Sequence, residues 1–437
     1  MDATDPIELK VPVTELQLGM SVVRLDRPWM ETSFPVQGFV IRHEADIEAL
    51  RQQCEYVYVE GQELPEKTAG LSRLGAGLKG RKRKRTVPRL ASVSVEEEMA
   101  SAQDAYRHAR SMAADIISSV RMGQALDVRR ARSVVRECVD SVLRNQEALQ
   151  MLAQIRGRDE YTAEHSMNVC VLSALFGKHL GMLPGEMEKL ALSGLLHDLG
   201  NVRIPDELLK KPEPLTPEEF EQVKVHTEHG RRLLMSTSGL DPVTVDVAYS
   251  HHERMDGNGY PRGLLAHQVP YFAKIMSIVD AYDAMVTNRF HAVAVSSREA
   301  LDVIYRERGE QFDESLALDF IQCIGVFPAG SLVELSTGES AIVITTYALN
   351  RLRPRVLVVR DANGEPCRER VVDLRRRDEQ SAGVPYQIRR ELPTGSQGIE
   401  LGDYLERGLT LHNEDPDPEL QVLVDALNGH DPDADSP

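Results

Sequence analysis

Seven side chains able to ligate a metal recur along this chain at near-regular intervals: His165, the pair His197-Asp198, His226, the pair His251-His252, and Asp280. The successive gaps are 32, 28, 25 and 28 residues. Each gap fits one helix plus its return connection. An antiparallel helical bundle brings such positions to one level of its core, where bundles build metal sites. Imidazoles and carboxylates gathered inside a core are costly unless something binds them, and a divalent cation is the natural binder. The pattern therefore predicts a mainly helical domain built around metal-dependent hydrolytic chemistry.

Taken singly, none of these residues carries that reading. His165 shares a helical stripe with Val169, Leu172 and Phe176, and a lone histidine there is more often a core residue bonded to a carbonyl. His197-Asp198 closes the apolar run 190–196, which Gly200 is placed to cap. His251-His252 follows the apolar run 243–249 and precedes a glycine-rich loop, where a solvated pair is the plain alternative. His226 has His229 and His179 as nearby decoys. Asp280 lies in the run Ile275-Met-Ser-Ile-Val-Asp280, and a carboxylate in so apolar a segment is rarely buried without a partner. Five coincident placements at helix ends or core positions are hard to explain as independent accidents.

Around this core the 437 residues divide into six segments. Residues 1–62 read as a small α/β module, with strands at 11–13, 22–24 and 56–59 and a helix at 44–54. Residues 63–92 have linker composition around Lys79-Gly-Arg-Lys-Arg-Lys-Arg85, which puts six cations in seven residues. That run is a solvated linker or an electrostatic clamp for an acidic partner. Residues 93–155 read as almost continuous helix, either a hairpin broken near Met122-Gly-Gln124 or one long signalling helix. This segment is a candidate for homodimerisation, with packing against the bundle as the plain alternative. Residues 156–329 hold the metal-binding candidates. Residues 330–376 change to alternating strands with turns at Thr337-Gly338 and Asn363-Gly364. Residues 377–437 read as linker and a disordered acidic tail, with one short helix at 419–427.

Composition excludes several functions. The net charge of −17 argues against a nucleic-acid polymer as partner. The five cysteines show no CxxC spacing, as expected of free thiols in a reducing cytoplasm. No apolar run approaches the roughly 18–20 residues of a membrane span, and no phosphate-cradling or dinucleotide-binding glycine pattern occurs.

The motifs His197-Asp-Leu-Gly200, His251-His-Glu253 and Asp256-Gly-Asn-Gly-Tyr-Pro-Arg-Gly-Leu264 resemble the HD-GYP family of HD-domain metal phosphohydrolases. The resemblance spans about 150–329. It takes in Ile204-Pro-Asp206, Lys211-Pro, Leu215-Thr-Pro-Glu-Glu219, Val279-Asp-Ala-Tyr-Asp283 and Arg289. It implies a helical bundle holding two or three iron or manganese ions and hydrolysing cyclic di-GMP to linear pGpG, in some members to GMP. Two such ions would activate a water and neutralise phosphoryl charge. The segment with Leu18-Gly-Met20, Trp29 and Val57-Tyr-Val59 looks like a small domain of uncharacterised role that often precedes HD-GYP domains.

Carried over by position, the resemblance makes His165, His197, Asp198, His226, His251, His252 and Asp280 metal ligands, with Asp198 bridging. Asp283 and Asp159 match positions that touch the substrate or the attacking water, and Arg289 matches a phosphate-facing arginine. The loop 256–264, with Tyr260, reads as a turn bracing the His pair, a wall of the substrate pocket, or a docking edge for a diguanylate cyclase. Two departures matter. Tyr161 stands where some members place a third-metal glutamate, which favours two ions. Asn201 stands where a phosphate-binding lysine is usual, with Arg203 nearby as a candidate replacement. That loss keeps open a catalytically weak cyclic di-GMP sensor or adaptor, and a second alternative is another cyclic dinucleotide as substrate.

Overall fold

The computed structural model describes residues 8–16, 20–26, 39–41, 44–60, 92–155, 161–287, 293–347, 352–376, 380–381 and 384–407. The protein is mainly helical, with a small sheet at each end of the chain. The basic run at 79–85, the acidic tail and the expected helix at 419–427 lie outside the described residues.

The N-terminal sheet consists of β1 (Glu8–Pro12), β2 (Ser21–Leu25), β3 (Phe39–Val40) and β4 (Tyr56–Glu60), antiparallel in the order β1-β4-β2-β3. With helix α1 (Glu44–Gln53) it encloses a small core of its own, centred on Val22, Ile41, Leu50 and Val57.

The segment 93–155 folds as the hairpin alternative. Helix α2 (Val95–Arg121) opens on a capping box in which Ser94 and Glu97 bond each other's backbone, satisfying two donors of the first turn. It ends at Met122, and Gly123 then takes a positive φ of 76° that a side chain would resist. Helices α3 (Val128–Arg144) and α4 (Gln146–Leu152) return the chain. The buried Glu98 carboxylate ties α2 to α3, accepting from Arg144 at 2.6 and 2.8 Å and from Ser141 Oγ at 2.7 Å.

The hairpin is part of the bundle and does not stand apart from it. Ala109, Ala113, Val135 and Val139 share one continuous core with helices α5 (Tyr161–His179) and α6 (Pro184–Leu196). Small residues on the facing stripes allow this close approach. Next along the chain are the short helices α7 (Asp206–Leu209), α8 (Pro217–Lys224), α9 (His226–Met235) and α10 (Pro242–Ser250). The longer α11 (Tyr271–Val286) and the pair α12 (Ser297–Arg306) and α13 (Glu314–Ile324) then close the bundle. Phe320 of α13 sits edge-on to Phe176 of α5 at 5.1 Å and to Tyr282 of α11 at 5.3 Å, so three helices lock at one aromatic cluster.

The C-terminal sheet extends beyond the stretch legible from alternation. Strands β5 (Leu332–Leu335), β6 (Ser340–Thr345) and β7 (Arg355–Arg360) fall where expected, with Gly338 and Gly364 at positive φ in the turns. Strand β8 (Pro366–Asp373) and, past a short pair β9 (Gln380–Ser381) and β10 (Val384–Pro385), strand β11 (Ile388–Leu392) complete the order β11-β5-β6-β7-β8. The expectation of linker from 377 onward therefore needs correction, since β11 and helix α14 (Leu401–Glu406) are ordered elements. The polar Arg-Arg-Glu of β11 hid it. Arg389 and Arg390 bond Glu334 of the neighbouring strand at 2.8 and 2.6 Å, and Glu391 accepts from the α12 backbone at Ser297 and Arg298.

The middle strands of this sheet, β5 to β7, are buried on both faces. Leu332, Ile342, Ile344, Leu357 and Val359 join the helical core, while Val333, Ala341, Val343, Val356 and Val358 form a second core on the other side. Two carboxyls pin it to the bundle: Glu391, as above, and the buried Glu147 of α4, which accepts from Thr346 N and Oγ1 at 2.6 and 2.7 Å. Burial pushes both carboxyls above the usual range against these hydrogen bonds.

Emptying the aromatic cluster will be costly. Phe176→Ala is expected to lower unfolding free energy by about 3–5 kcal/mol in denaturant titration, and a loss under about 1 kcal/mol would show that the cluster does not hold the bundle.

Candidate metal centre

All seven spaced residues meet in the bundle core. His165 projects from α5, and His197 and Asp198 follow directly on the C-terminus of α6. His226 opens α9, His251 and His252 follow α10, and Asp280 sits midway along α11. They form two groups, each with ligand atoms within 4.8 Å of one another: Asp198, His226, His251 and His252, and His165, His197 and Asp280.

Asp198 joins the groups. Its Oδ1 lies 3.3 Å from His226 Nε2 and 3.5 Å from His251 Nε2, while Oδ2 lies 3.7 Å from His197 Nε2. Asp280 Oδ1 lies 3.1 Å from His165 Nε2 and 3.6 Å from His197 Nε2. Asp198, Asp280 and His252 are partly exposed, while His165, His197, His226 and His251 are buried.

The surrounding backbone decides which face of each imidazole points inward. His197 Nδ1 lies 2.7 Å from the Gly194 carbonyl, His226 Nδ1 2.8 Å from that of Val223, and His251 Nδ1 3.1 Å from that of Val247. A carbonyl only accepts, so each Nδ1 carries the proton and each Nε2 turns a lone pair to the centre. His226 Nε2 and His251 Nε2 then face each other 3.4 Å apart with no proton between them. His197 Nε2 and Asp198 Oδ1 are buried without a hydrogen-bond partner. Converging acceptors without donors are what divalent cations satisfy, so the donor set fits the metal that the spacing implied. The donors are nitrogen and oxygen, with no thiolate among them.

The electrostatics divide the histidines: burial lowers His226 and His252 toward the neutral, ligating form, whereas against burial the aspartates beside His197 and His165 raise both toward a protonated form whose proton a cation would displace. Burial pushes Asp198 and Asp280 up, yet the neighbouring histidines, His197 foremost for Asp198 and His165 for Asp280, pull both well below the ordinary carboxylate range. Burial and then His251 and His226 hold His252 far below a normal histidine, so it stays neutral and able to ligate. Burial also acts to lower His165, but hydrogen bonds to Asp280 and Asp283 overcome it and lift that group to about 10.

Asp283 lies on α11 beside His165. It is fully buried behind His165, with Oδ2 2.8 Å from Nδ1. From there Asp283 can orient the imidazole. Asp159 and Arg289 lie outside the described residues.

Gly200 also departs from expectation. His197 keeps helical angles and the chain runs on into a 3-10 turn, Leu199–Arg203, so no left-handed cap forms. Gly200 is needed for contact instead: a Cβ there would lie 1.9 Å from the His226 carbonyl oxygen and 2.5 Å from Gly230 N. The absent side chain lets the Asp198 turn rest on the start of α9.

The loop 256–264 is braced by a residue to which spacing assigned no role. Glu253 is buried and accepts from Arg262 N at 2.9 Å and Leu264 N at 2.8 Å, folding the loop back over the His pair. Gly259 packs so tightly that a Cβ would come within 2.3 Å of Arg254 N, and Gly257 holds a positive φ of 80°. Tyr260 stacks on His252 at 4.7 Å, and its hydroxyl is pushed upward by burial and then by Asp198 and Asp280. In the 204–219 segment, Thr216 and Glu219 form a capping box and Lys211 Nζ bonds Glu219 at 2.6 Å, which gives that motif a structural purpose.

Fold and centre together define a metal-dependent phosphohydrolase. Residues 142–316 match the family model described as "HD domain", and residues 8–131 match "Domain of unknown function (DUF3391)". The chain is 34% identical to the cyclic di-GMP phosphodiesterase PA4108 of Pseudomonas aeruginosa, over 84% of this chain and 89% of that one. It is 36% identical to a cyclic di-GMP phosphodiesterase of Thermotoga maritima over 40% of this chain and 48% of that one. It is 35% identical to the cyclic di-GMP phosphodiesterase response regulator RpfG of Xanthomonas campestris over 39% of this chain and 46% of that one. This chain belongs to the HD-domain family, in its HD-GYP branch.

Two substitutions test the centre. Gly200→Ala is expected to separate the Asp198 turn from α9 and abolish metal retention after dialysis, read by elemental analysis; full retention would refute the close-contact argument. Asp283→Asn is expected to weaken metal affinity by about 10–100-fold, the usual cost of losing a partner behind a ligating histidine; unchanged affinity in a chelator competition would remove its positioning role.

Proposed function

We propose that this protein hydrolyses cyclic di-GMP to linear pGpG in the bacterial cytoplasm, with two divalent ions, iron or manganese. The observation that carries the reading is the division of Asp198, one oxygen toward His226 and His251 and the other toward His197. In this reading His165, His197 and Asp280 would hold one ion and His226, His251 and His252 the other, with Asp198 between the two groups. Tyr161 offers no carboxylate for a third. The extensive identity to a relative named as a cyclic di-GMP phosphodiesterase supports the substrate. No helix among the described residues is long and apolar enough to cross a membrane.

Bound ions would supply Lewis-acid charge to the phosphoryl oxygens and lower the pKa of water. The protein's own contribution is placement. Asp283 and the Gly194, Val223 and Val247 carbonyls hold four imidazoles in fixed tautomers, so the site needs little reorganisation. Tyr260, stacked on His252, walls one side of the centre and limits entry of bulk water. The attacking water oxygen bonds to phosphorus, the bond from phosphorus to the 3′ oxygen breaks, and the leaving oxygen takes up a proton. The phosphodiester enters on the partly exposed side, where Asp198, Asp280 and His252 lie. Binding with weak turnover is the second reading, favoured by the neutral Asn201 where a cation would steady a phosphate.

Purified protein loaded with manganese or ferrous iron is expected to convert cyclic di-GMP to pGpG on a nucleotide-resolving column, and Asp198→Ala to convert none. Metal-loaded wild type that binds cyclic di-GMP without cleaving it would select the second reading. Neither binding nor cleavage would overturn both.

A further inference from the structure

A large ring stands half open to water beside the metal centre. Phe220 of α8 is 43% exposed, and its ring meets that of Tyr260 edge-on at 6.0 Å. Tyr260 in turn stacks on His252, the partly exposed histidine of the centre, at 4.7 Å, and lies 6.3 Å from His226. We infer that Phe220, framed by Tyr260 and Lys224, is the platform on which a purine base of the substrate stacks; this rests on the proposed cyclic di-GMP reading.

Three observations carry the inference. First, measured contacts lead from the centre to the ring without a gap. Phe220 stands two ring contacts from His252, and a ribose joins phosphate to base over a comparable span. A phosphodiester held at the centre can therefore lay one of its bases against Phe220. Second, both rings are held in place by their own elements. The Thr216–Glu219 capping box and the Lys211 contact to Glu219 fix the first turn of α8, directly ahead of Phe220. Glu253 and the close packing of Gly259 fix the loop that carries Tyr260. A platform already ordered costs little entropy to use.

Third, the platform carries positive charge. Lys224 Nζ, one turn on from Phe220, lies 4.9 Å from the Phe220 centroid and 5.5 Å from that of Tyr260. The ammonium attracts both ring faces and so draws α8 and the loop together. Its carboxylate partner, Glu221 at 2.6 Å, is 69% exposed, so water weakens that pair and leaves the ring contacts. A single exposed ring is ordinary on a protein surface. A ring aligned with an aromatic wall, a cation and a metal ligand is what a nucleotide uses, since its base stacks on aromatic faces and its phosphates seek positive charge.

The test compares wild type with Phe220→Ala, Phe220→Leu and Phe220→Trp, all loaded with manganese and assayed on cyclic di-GMP. Phe220→Ala is expected to raise KM by about tenfold or more, the usual loss when one base gives up its stacking partner, with a far smaller change in kcat. Phe220→Trp should keep KM within about threefold of wild type, because it preserves the π-face. Phe220→Leu keeps the apolar bulk without that face and should lose nearly as much as alanine. A merely structural role would leave the leucine variant near wild type, or would lower the manganese content of the alanine variant in elemental analysis; either result overturns the inference. Active wild type with the Phe220→Ala KM within about twofold of it also overturns the inference and leaves the proposed function standing. Wild type that neither binds nor cleaves cyclic di-GMP overturns both. If wild type binds without cleaving, the same comparison of dissociation constants decides the role of Phe220.

Discussion

One carboxylate shared between two sets of lone pairs organises this protein. Asp198 cannot face His226, His251 and His197 together unless positive charge lies between them, and burial makes that charge obligatory. The helices are arranged to meet this condition. Each ligand-bearing element ends at, begins at or crosses the same level, and the backbone carbonyls just behind the histidines fix which nitrogen faces inward. Gly200 then brings the Asp198 turn against α9 at a distance no other residue allows. The centre is a property of the packing as much as of its ligands.

Spacing and helical context made the seven ligand positions legible, because a bundle returns to one level at each helix length. Two independent signals coincided there: the period of the metal-binding residues and the apolar runs around Leu190 and Ile275. The mainly helical fold and the two flanking sheets could be read from the same periodicities. The turn at Gly123 could be located but not interpreted, since hairpin and long helix share one pattern until packing selects between them.

Other features could not be read because they depend on the third dimension. Asp283 matched a reactive position in the motif, and its burial behind His165 is visible only in the fold. Glu253 had no role until its two backbone contacts appeared. Strand β11 carries too many charges to show alternation, because its arginines are satisfied sideways by Glu334. Phe220 lies 40 residues before Tyr260 in the chain and meets its ring only because α8 and the loop fold together. Proximity of that kind leaves no local trace in composition.

The continuous core from α2 to α13 bears on how the molecule can be divided. A cut at the motif boundary would remove the α2–α3 hairpin from the core it shares with α5 and α6. The piece that carries the signature is smaller than the piece that can hold its shape. Anyone excising the catalytic part for crystallisation or assay would have to begin upstream of Ser94, and take the sheet through Leu392 as well.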